Sequence, residues 1–210
     1  MRRLRLKVCG MREVANIASV GALRPDYMGF ILVPSSPRFV GSALSADEIA
    51  LPQSVKRIGV FQDAPLTTVL DAIDRLQLHG VQLHGGEDTA YMQALRTASP
   101  QTLILKAVSV HSGHDIAQLK ATEGLPDLFV LDGKSGGSGT PFDWTLLSQY
   151  AASVPYLLAG GIGAAELDVI EKLAEQHPLL YGIDINSRVE LSPGVKDTQR
   201  IQEIAMRLGL

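Results

Sequence analysis

Residues 56–85 read KRIGVFQDAPLTTVLDAIDRLQLHGVQLHG, and they hold one complete strand–helix–strand unit. KRIGVFQ (56–62) is a short apolar run bounded by polar residues, the pattern of a buried strand. Pro65 opens a helix, where its missing N–H costs nothing. Val69, Leu70, Ile73 and Leu76 then recur at helical spacing. GVQLHG (80–85) is the next strand. Two strands joined by a helix in about 30 residues form a βαβ unit, which makes its strands parallel.

The same alternation runs in both directions. LRLKVC (4–9) and YMGFIL (27–32) precede the unit; TLILKAVSV (102–110), DLFVLD (127–132), PYLLAGG (155–161) and LLYGIDI (179–185) follow it. Helical patterns lie between them: residues 10–23, a short one near 44–51 with Ser45 as cap and Glu48 three residues on, then 87–98, 115–121 with Asp115 as cap, one from Asp143, 164–175, and 196–208 at the end. Eight βα units with near-continuous apolar strands imply a parallel sheet covered by helices. An open doubly wound sheet would usually carry GxGxxG after its first strand, and CGMREV at 9–14 does not match. The expected fold is α/β, a single-domain (β/α)8 TIM barrel over 1–210, with no linker or composition shift.

The 210 residues are 46% hydrophobic and carry a net charge of −3, with basic residues scattered rather than gathered on a face, so no nucleic-acid partner is expected. One cysteine precludes an intramolecular disulfide and a multi-cysteine zinc site, and no metal-ligand spacing is visible. No apolar run has signal-peptide or membrane-span length. The expectation is a soluble cytoplasmic protein with no membrane partner, acting without a cofactor, as a monomer or homodimer.

In such barrels the site lies at the C-terminal ends of the strands. Those ends hold Cys9, the loop to Arg38, Gln62 and Asp63, Gln82 and His84, Asp132, Gly160-Gly161, and Asp184 with Asn186-Ser187. The loop from Gly133 to Thr140, containing Gly137 and Ser138, is glycine-rich, and its amides suit an anion. With Gly160-Gly161 and Asn186-Ser187 it makes three clusters on one rim, which points to phosphate. Cys9 is either inert packing or a reactive thiol, with Lys7 two residues earlier on the same strand face, where its charge would favour a thiolate. Asp132 is either a loop anchor or a general acid or base. Arg38 is a surface arginine or a fork for a substrate carboxylate. A lone histidine at a barrel mouth is more often structural than catalytic, so Gln82 and His84 stand as substrate-binding candidates only.

KVCGM, GFILVPSSPRFV, RIGVF, VQLHG, VLDGKSGGSGTPFDW, LAGG and GIDINSRVELSPGVKD occur in order over nearly the whole chain. Together they resemble the phosphoribosylanthranilate isomerase family of tryptophan biosynthesis. The resemblance implies an Amadori rearrangement of a phosphosugar–anthranilate substrate. Asp132 then matches the general acid and Cys9 the general base. Arg38 matches the residue facing the anthranilate carboxylate, Asp184 a position near the amine, and the glycine loops the phosphate site. Two departures stand out: Ser187-Arg188 where the family commonly has Ser-Gly, and GVFQDA where GVFVN is commoner. Arginine at 188 would be strained if that site needs a positive φ; otherwise it adds charge beside the phosphate. The rivals are a sibling phosphosugar isomerase, which would carry aspartate in place of Cys9, and a catalytically dead phosphate-binding barrel.

Overall fold

The computed structural model describes residues 3–41, 44–133 and 141–210. Eight strands close into a parallel barrel in sequence order: β1 (Arg5–Val8), β2 (Tyr27–Ile31), β3 (Lys56–Phe61), β4 (Gly80–Leu83), β5 (Leu103–Ser109), β6 (Leu128–Asp132), β7 (Tyr156–Leu158) and β8 (Leu180–Ile185). Closure runs through β1 and β8, where Lys7 pairs with Asp184 and Val8 with Ile185. The β7–β8 register slips between Tyr156 and Leu157. All eight expected strands are present, shortened by one to four residues.

Each strand turns alternate side chains to opposite faces, so the barrel has two apolar layers. Leu105 and Ala107 of β5 and Leu128 and Val130 of β6 point inward, where they meet Tyr27, Ile58 and Leu157. Ile104, Phe129 and Leu131 point outward into the layer beneath the helices. On β1, β4 and β8 the outward positions are Leu6 and Val8, Val81 and Leu83, and Ile183 and Ile185. The inward positions are then Lys7, Gln82 and Asp184, which are nonetheless buried. Polar residues therefore replace the apolar filling at one level of the interior.

The helices are α1 (Val14–Gly21), α2 (Leu66–Leu76), α3 (Thr89–Ala98), α4 (Gly113–Ala117), α5 (Leu167–Gln176) and α6 (Thr198–Arg207). After β2 and β6 the helical segments among the described residues are 3-10 turns, at Ala46–Glu48 and Trp144–Gln149. Ser45 caps as expected, its amide bonded to the Glu48 carboxylate at 2.9 Å. Asp115 is not a cap. Ser112 is, and Asp115 is its third helical residue, reaching back to the Ser112 amide at 2.8 Å. A hairpin that the sequence reading did not separate, β9 (Glu190–Ser192) and β10 (Val195–Lys196), follows β8. No helix among the described residues is long and apolar enough to cross a membrane.

Two aspartates staple the floor of the barrel in the same way. Asp26 precedes β2 and accepts the Leu6 amide of β1 at 2.9 Å. Asp127 precedes β6 and accepts the Ile104 amide of β5 at 2.7 Å. Each follows a proline, Pro25 and Pro126, whose fixed φ leads the chain into the strand. Asp26 also holds Arg3 and Arg5, both at 2.6 Å. Asp26→Ala leaves the Leu6 amide and two arginines without their acceptor. It is expected to destabilise the barrel by about 1–3 kcal/mol, read as a lower urea midpoint at unchanged m-value. An unchanged midpoint would mean that the staple adds nothing.

Candidate active site

The C-terminal ends of the strands surround a cavity of about 390 Å³. Cys9, Arg38, Gln62, Gln82, His84, Asp132, Gly160, Gly161, Asp184, Asn186, Ser187 and Arg188 all line it, and Ser36 and Ser109 join them. Gly137 and Ser138 lie outside the described residues, so their part in an anion site is left to the sequence reading. Every other candidate is brought to this one mouth, although residues 9 and 186 stand at opposite ends of the chain.

Backbone pairing continues past the strands and holds the site residues still. The Cys9 amide bonds to Ile185 O at 2.9 Å, His84 N to Phe61 O at 2.8 Å, Ala159 N to Leu131 O at 2.8 Å, and Asp132 O accepts from Val110 N at 2.9 Å. Cys9 stands beside Gly29 of β2. A Cβ at Gly29 would come within 2.8 Å of the Cys9 Sγ, so glycine there leaves room for the thiol. Gly160 (φ 82°) and Gly161 (φ 69°) occupy the left-handed region. A Cβ at Gly160 would meet the Asp132 Oδ1 at 2.6 Å, so that glycine both makes the turn and admits the carboxylate.

Lys7 Nζ donates to Asp184 Oδ2 at 2.6 Å, with both groups inside the barrel. Burial pulls the ammonium down, but Asp184 and the Cys9 sulfur outweigh it, and Lys7 keeps its proton. The second oxygen of Asp184, Oδ1, and the amide oxygen of Gln82 are buried and find no hydrogen-bond partner among the described residues. Two orphaned acceptors at the base of a cavity ask for a donor from a ligand.

Burial pushes the Cys9 thiol up; the Lys7 and Lys196 cations oppose it without reversing the direction. The thiol therefore rests protonated at neutral pH: Lys7 favours the thiolate as expected, but burial outweighs it. Burial also raises Asp132 above the ordinary carboxylate range, against the Gly133 amide and Lys7. A raised carboxyl keeps its proton longer and serves as a better acid near neutrality. Burial and then Lys7 lower His84, which stays neutral, and its Nε2 stands 3.8 Å from Asp132 Oδ2, beyond hydrogen-bond reach.

Three ion pairs of the rim were not read from the sequence: two join residues 19 and 152 positions apart, and the third closes across the unrecognised β9–β10 hairpin. Lys106 holds Glu87 at 2.9 Å, and Glu87 in turn accepts the Asp63 and Gly85 amides at 2.8 and 2.9 Å. Asp63 (φ 50°) caps this turn by accepting the Gly86 amide at 2.7 Å, which gives it a structural role, whereas Gln62 faces the cavity. Arg38 forms a two-bond pair with Glu190, Nε to Oε1 at 2.9 Å and Nη2 to Oε2 at 2.7 Å. Lys196 meets the same carboxylate at 2.7 Å. Burial alone would raise Glu190, but Arg38, Lys196 and the Gly194 amide hold it below the ordinary range. Arg188 lies in the 3-10 turn Ser187–Val189. The non-glycine residues with positive φ among those described are Arg24, Asp63 and Gln77, so Arg188 carries no such strain.

The sequence profile of the N-(5'phosphoribosyl)anthranilate (PRA) isomerase family matches residues 6–207. The chain is 34% identical to the N-(5'-phosphoribosyl)anthranilate isomerase of Trichormus variabilis, over 98% of this chain and 99% of that protein. It superimposes on the crystal structure of the phosphoribosyl anthranilate isomerase from Thermus thermophilus with a TM-score of 0.85 at 29% identity, covering 98% of each chain. A second solved isomerase, in complex with reduced 1-(o-carboxyphenylamino)-1-deoxyribulose 5-phosphate, gives 0.80 at 25% identity, over 99% of this chain and all of that one.

The thiol makes a direct prediction. Alkylation of Cys9 by iodoacetamide should titrate with a midpoint above the ordinary 9.0. It should move higher still in Lys7→Met, because a cation that favours the thiolate is gone. A wild-type midpoint below 9.0 would mean that the two lysines outweigh burial.

Proposed function

The chain belongs to the N-(5'-phosphoribosyl)anthranilate isomerase family of tryptophan biosynthesis, and from that membership we propose how its own residues divide the reaction. Asp132 is the general acid and Cys9 the general base of an Amadori rearrangement. The observation that carries this assignment is a single cavity lined by both a buried carboxyl whose pKa is raised and a thiol close to two lysines.

Asp132 gives its proton to the furanose ring oxygen as the C1–O bond breaks, and the amine lone pair forms the C1=N bond of a Schiff base. The Cys9 thiolate takes the proton from C2. The C2–H electrons become the C1=C2 bond of an enolamine, and the C=N electrons return to nitrogen. Loss of the O2 proton and protonation at C1 then give the ketose. The sum is an isomerisation, so no external electron acceptor enters. A thiolate whose pKa is raised is scarcer at neutral pH but stronger as a base, which suits removal of a carbon-bound proton.

Arg38 takes the anthranilate carboxylate with the edge of its fork that Glu190 leaves open. Asp184 Oδ1 accepts from the substrate amine, and the Gln82 oxygen and His84 meet sugar hydroxyls. The phosphate sits over Gly160-Gly161 and Asn186-Ser187. The amides of a left-handed glycine pair suit an anion. Asn186 contributes through its backbone, since its side-chain oxygen is bonded to Lys196 at 2.6 Å.

Cys9→Ala and Asp132→Asn should each lower kcat by roughly 10²–10⁴ while KM moves little. The assay follows loss of anthranilate-type fluorescence from substrate generated in situ; near-wild-type kcat in either variant removes that residue from its role. In wild type, kcat/KM against pH should be bell-shaped. The acidic limb reports Asp132 and the alkaline limb Cys9, because the active form needs the lower group protonated and the higher one ionised.

Arg188 adds a cation beside the phosphate position. Arg188→Gly should raise KM by roughly the factor of 5–30 that goes with 1–2 kcal/mol, at nearly constant kcat. A large fall in kcat at constant KM would show that Arg188 acts on the chemistry instead.

A further inference from the structure

We infer that Glu190 and Lys196, one on each strand of the β9–β10 hairpin, are positioning residues: Glu190 aims the Arg38 guanidinium at the substrate carboxylate, and Lys196 neutralises Glu190 so that Arg38 keeps its charge for that ligand. The inference rests on the reading of Arg38 as the carboxylate-binding group.

The geometry is that of a clamp. Glu190 Oε1 accepts from Arg38 Nε at 2.9 Å, the Gly194 amide at 2.9 Å and Lys196 Nζ at 2.7 Å; Oε2 accepts from Arg38 Nη2 at 2.7 Å. These bonds use the Nε side of the guanidinium. The end-on edge, Nη1 with the second N–H of Nη2, makes no hydrogen bond among the described residues, and Arg38 is on the cavity wall. A planar fork held along one edge presents its other edge in a fixed plane.

Lys196 is fully buried and anchored twice more. Its Nζ bonds to Asn186 Oδ1 at 2.6 Å, and its own amide and carbonyl pair with the Asn16 side chain of α1 at 2.8 and 2.9 Å. The hairpin is thus tied to the first helix and to the end of β8 together. The cluster also lies against the turn that follows the proposed base. A Cβ at Gly10, the residue after Cys9, would lie 2.7 Å from Asn186 Oδ1 and 2.8 Å from Arg38 Cδ. The Arg38 stem therefore rides over the Cys9–Gly10 turn, and whatever fixes Arg38 fixes a carboxylate relative to the thiol.

Stability does not account for such a cluster. Desolvating paired charges costs about as much as their attraction returns, and apolar residues of similar volume often serve a fold as well. Charge balance does account for it. Glu190 alone would cancel Arg38, leaving a neutral pair facing an incoming anion. With Lys196 the group of three is net positive, and the ligand carboxylate completes it.

The test is a double-mutant cycle on substrate kinetics, using Glu190→Gln and Arg38→Ala singly and together in the full chain. Glu190→Gln keeps the shape but loses the charge, and should lower kcat/KM by roughly 10- to 100-fold, mainly through KM. In the Arg38→Ala background the same change should add less than about twofold, since residues in one network are non-additive. Additive losses, or an unchanged KM in Glu190→Gln when Arg38→Ala raises it, overturn the inference and leave the Arg38 reading intact. An unchanged KM in Arg38→Ala overturns the Arg38 reading itself, and this inference with it. Should Glu190→Gln not fold, Glu190→Asp keeps the charge but shortens the arm and should show the same KM rise. Lys196→Met should also raise KM, and Lys196→Arg should restore it in part. A merely structural role would instead lower Tm and the amount of active enzyme at constant KM, and that pattern counts against positioning.

Discussion

Lys7 on β1 and Asp184 on β8 face each other across the seam where the barrel closes, 2.6 Å apart and out of water. Neither charge is tolerable there without the other, because an uncompensated buried charge costs several kcal/mol. The pair therefore requires the first and last strands to meet in one register. It also sets the electrostatics of the level above. Lys7 acts on Cys9, Asp132 and His84, and burial acts on all three. One buried cation thus depresses the histidine and restrains the rise of both thiol and carboxyl.

The rim follows a common rule. Several rim side chains are held by a second charged group: Arg38 by Glu190 from 152 residues away, Glu190 by Lys196 across the hairpin, and the turn carrying Asp63 by Glu87 and Lys106. The strands supply rigidity through backbone pairing, and these ion pairs supply aim. The floor uses the same economy with a different bond, a carboxylate accepting the amide of the preceding strand at Asp26 and again at Asp127.

Much of this was legible from the sequence. The eight strands show as apolar runs because a strand buried on both faces needs apolar residues at nearly every position. The site candidates show because catalytic barrels expose strand ends at one rim. What was misread has physical reasons. The crossovers after β2 and β6 looked helical by spacing, yet their described residues form 3-10 turns at Ala46–Glu48 and Trp144–Gln149. Asp115 looked like a cap, but Ser112 is the N-cap and Asp115 reaches back to its amide. The strain considered for Arg188 does not arise, since its backbone lies in a 3-10 turn.

By itself the sequence determined the periodicity, the number of βα units and the residue types at the barrel mouth, because these depend on local spacing of apolar and polar groups. It determined the family as well, through motifs distributed along nearly the whole chain. Only the tertiary structure decided the protonation directions of Cys9 and Asp132 and the partners of Arg38 and Lys196. A pKa depends on how much water is excluded and on charges that closure brings near, and Lys7 and Asp184 are 177 residues apart in the chain. Local sequence carries no measure of either, so Lys7 beside Cys9 promised a thiolate while the folded barrel, by removing water from the thiol, raised it instead.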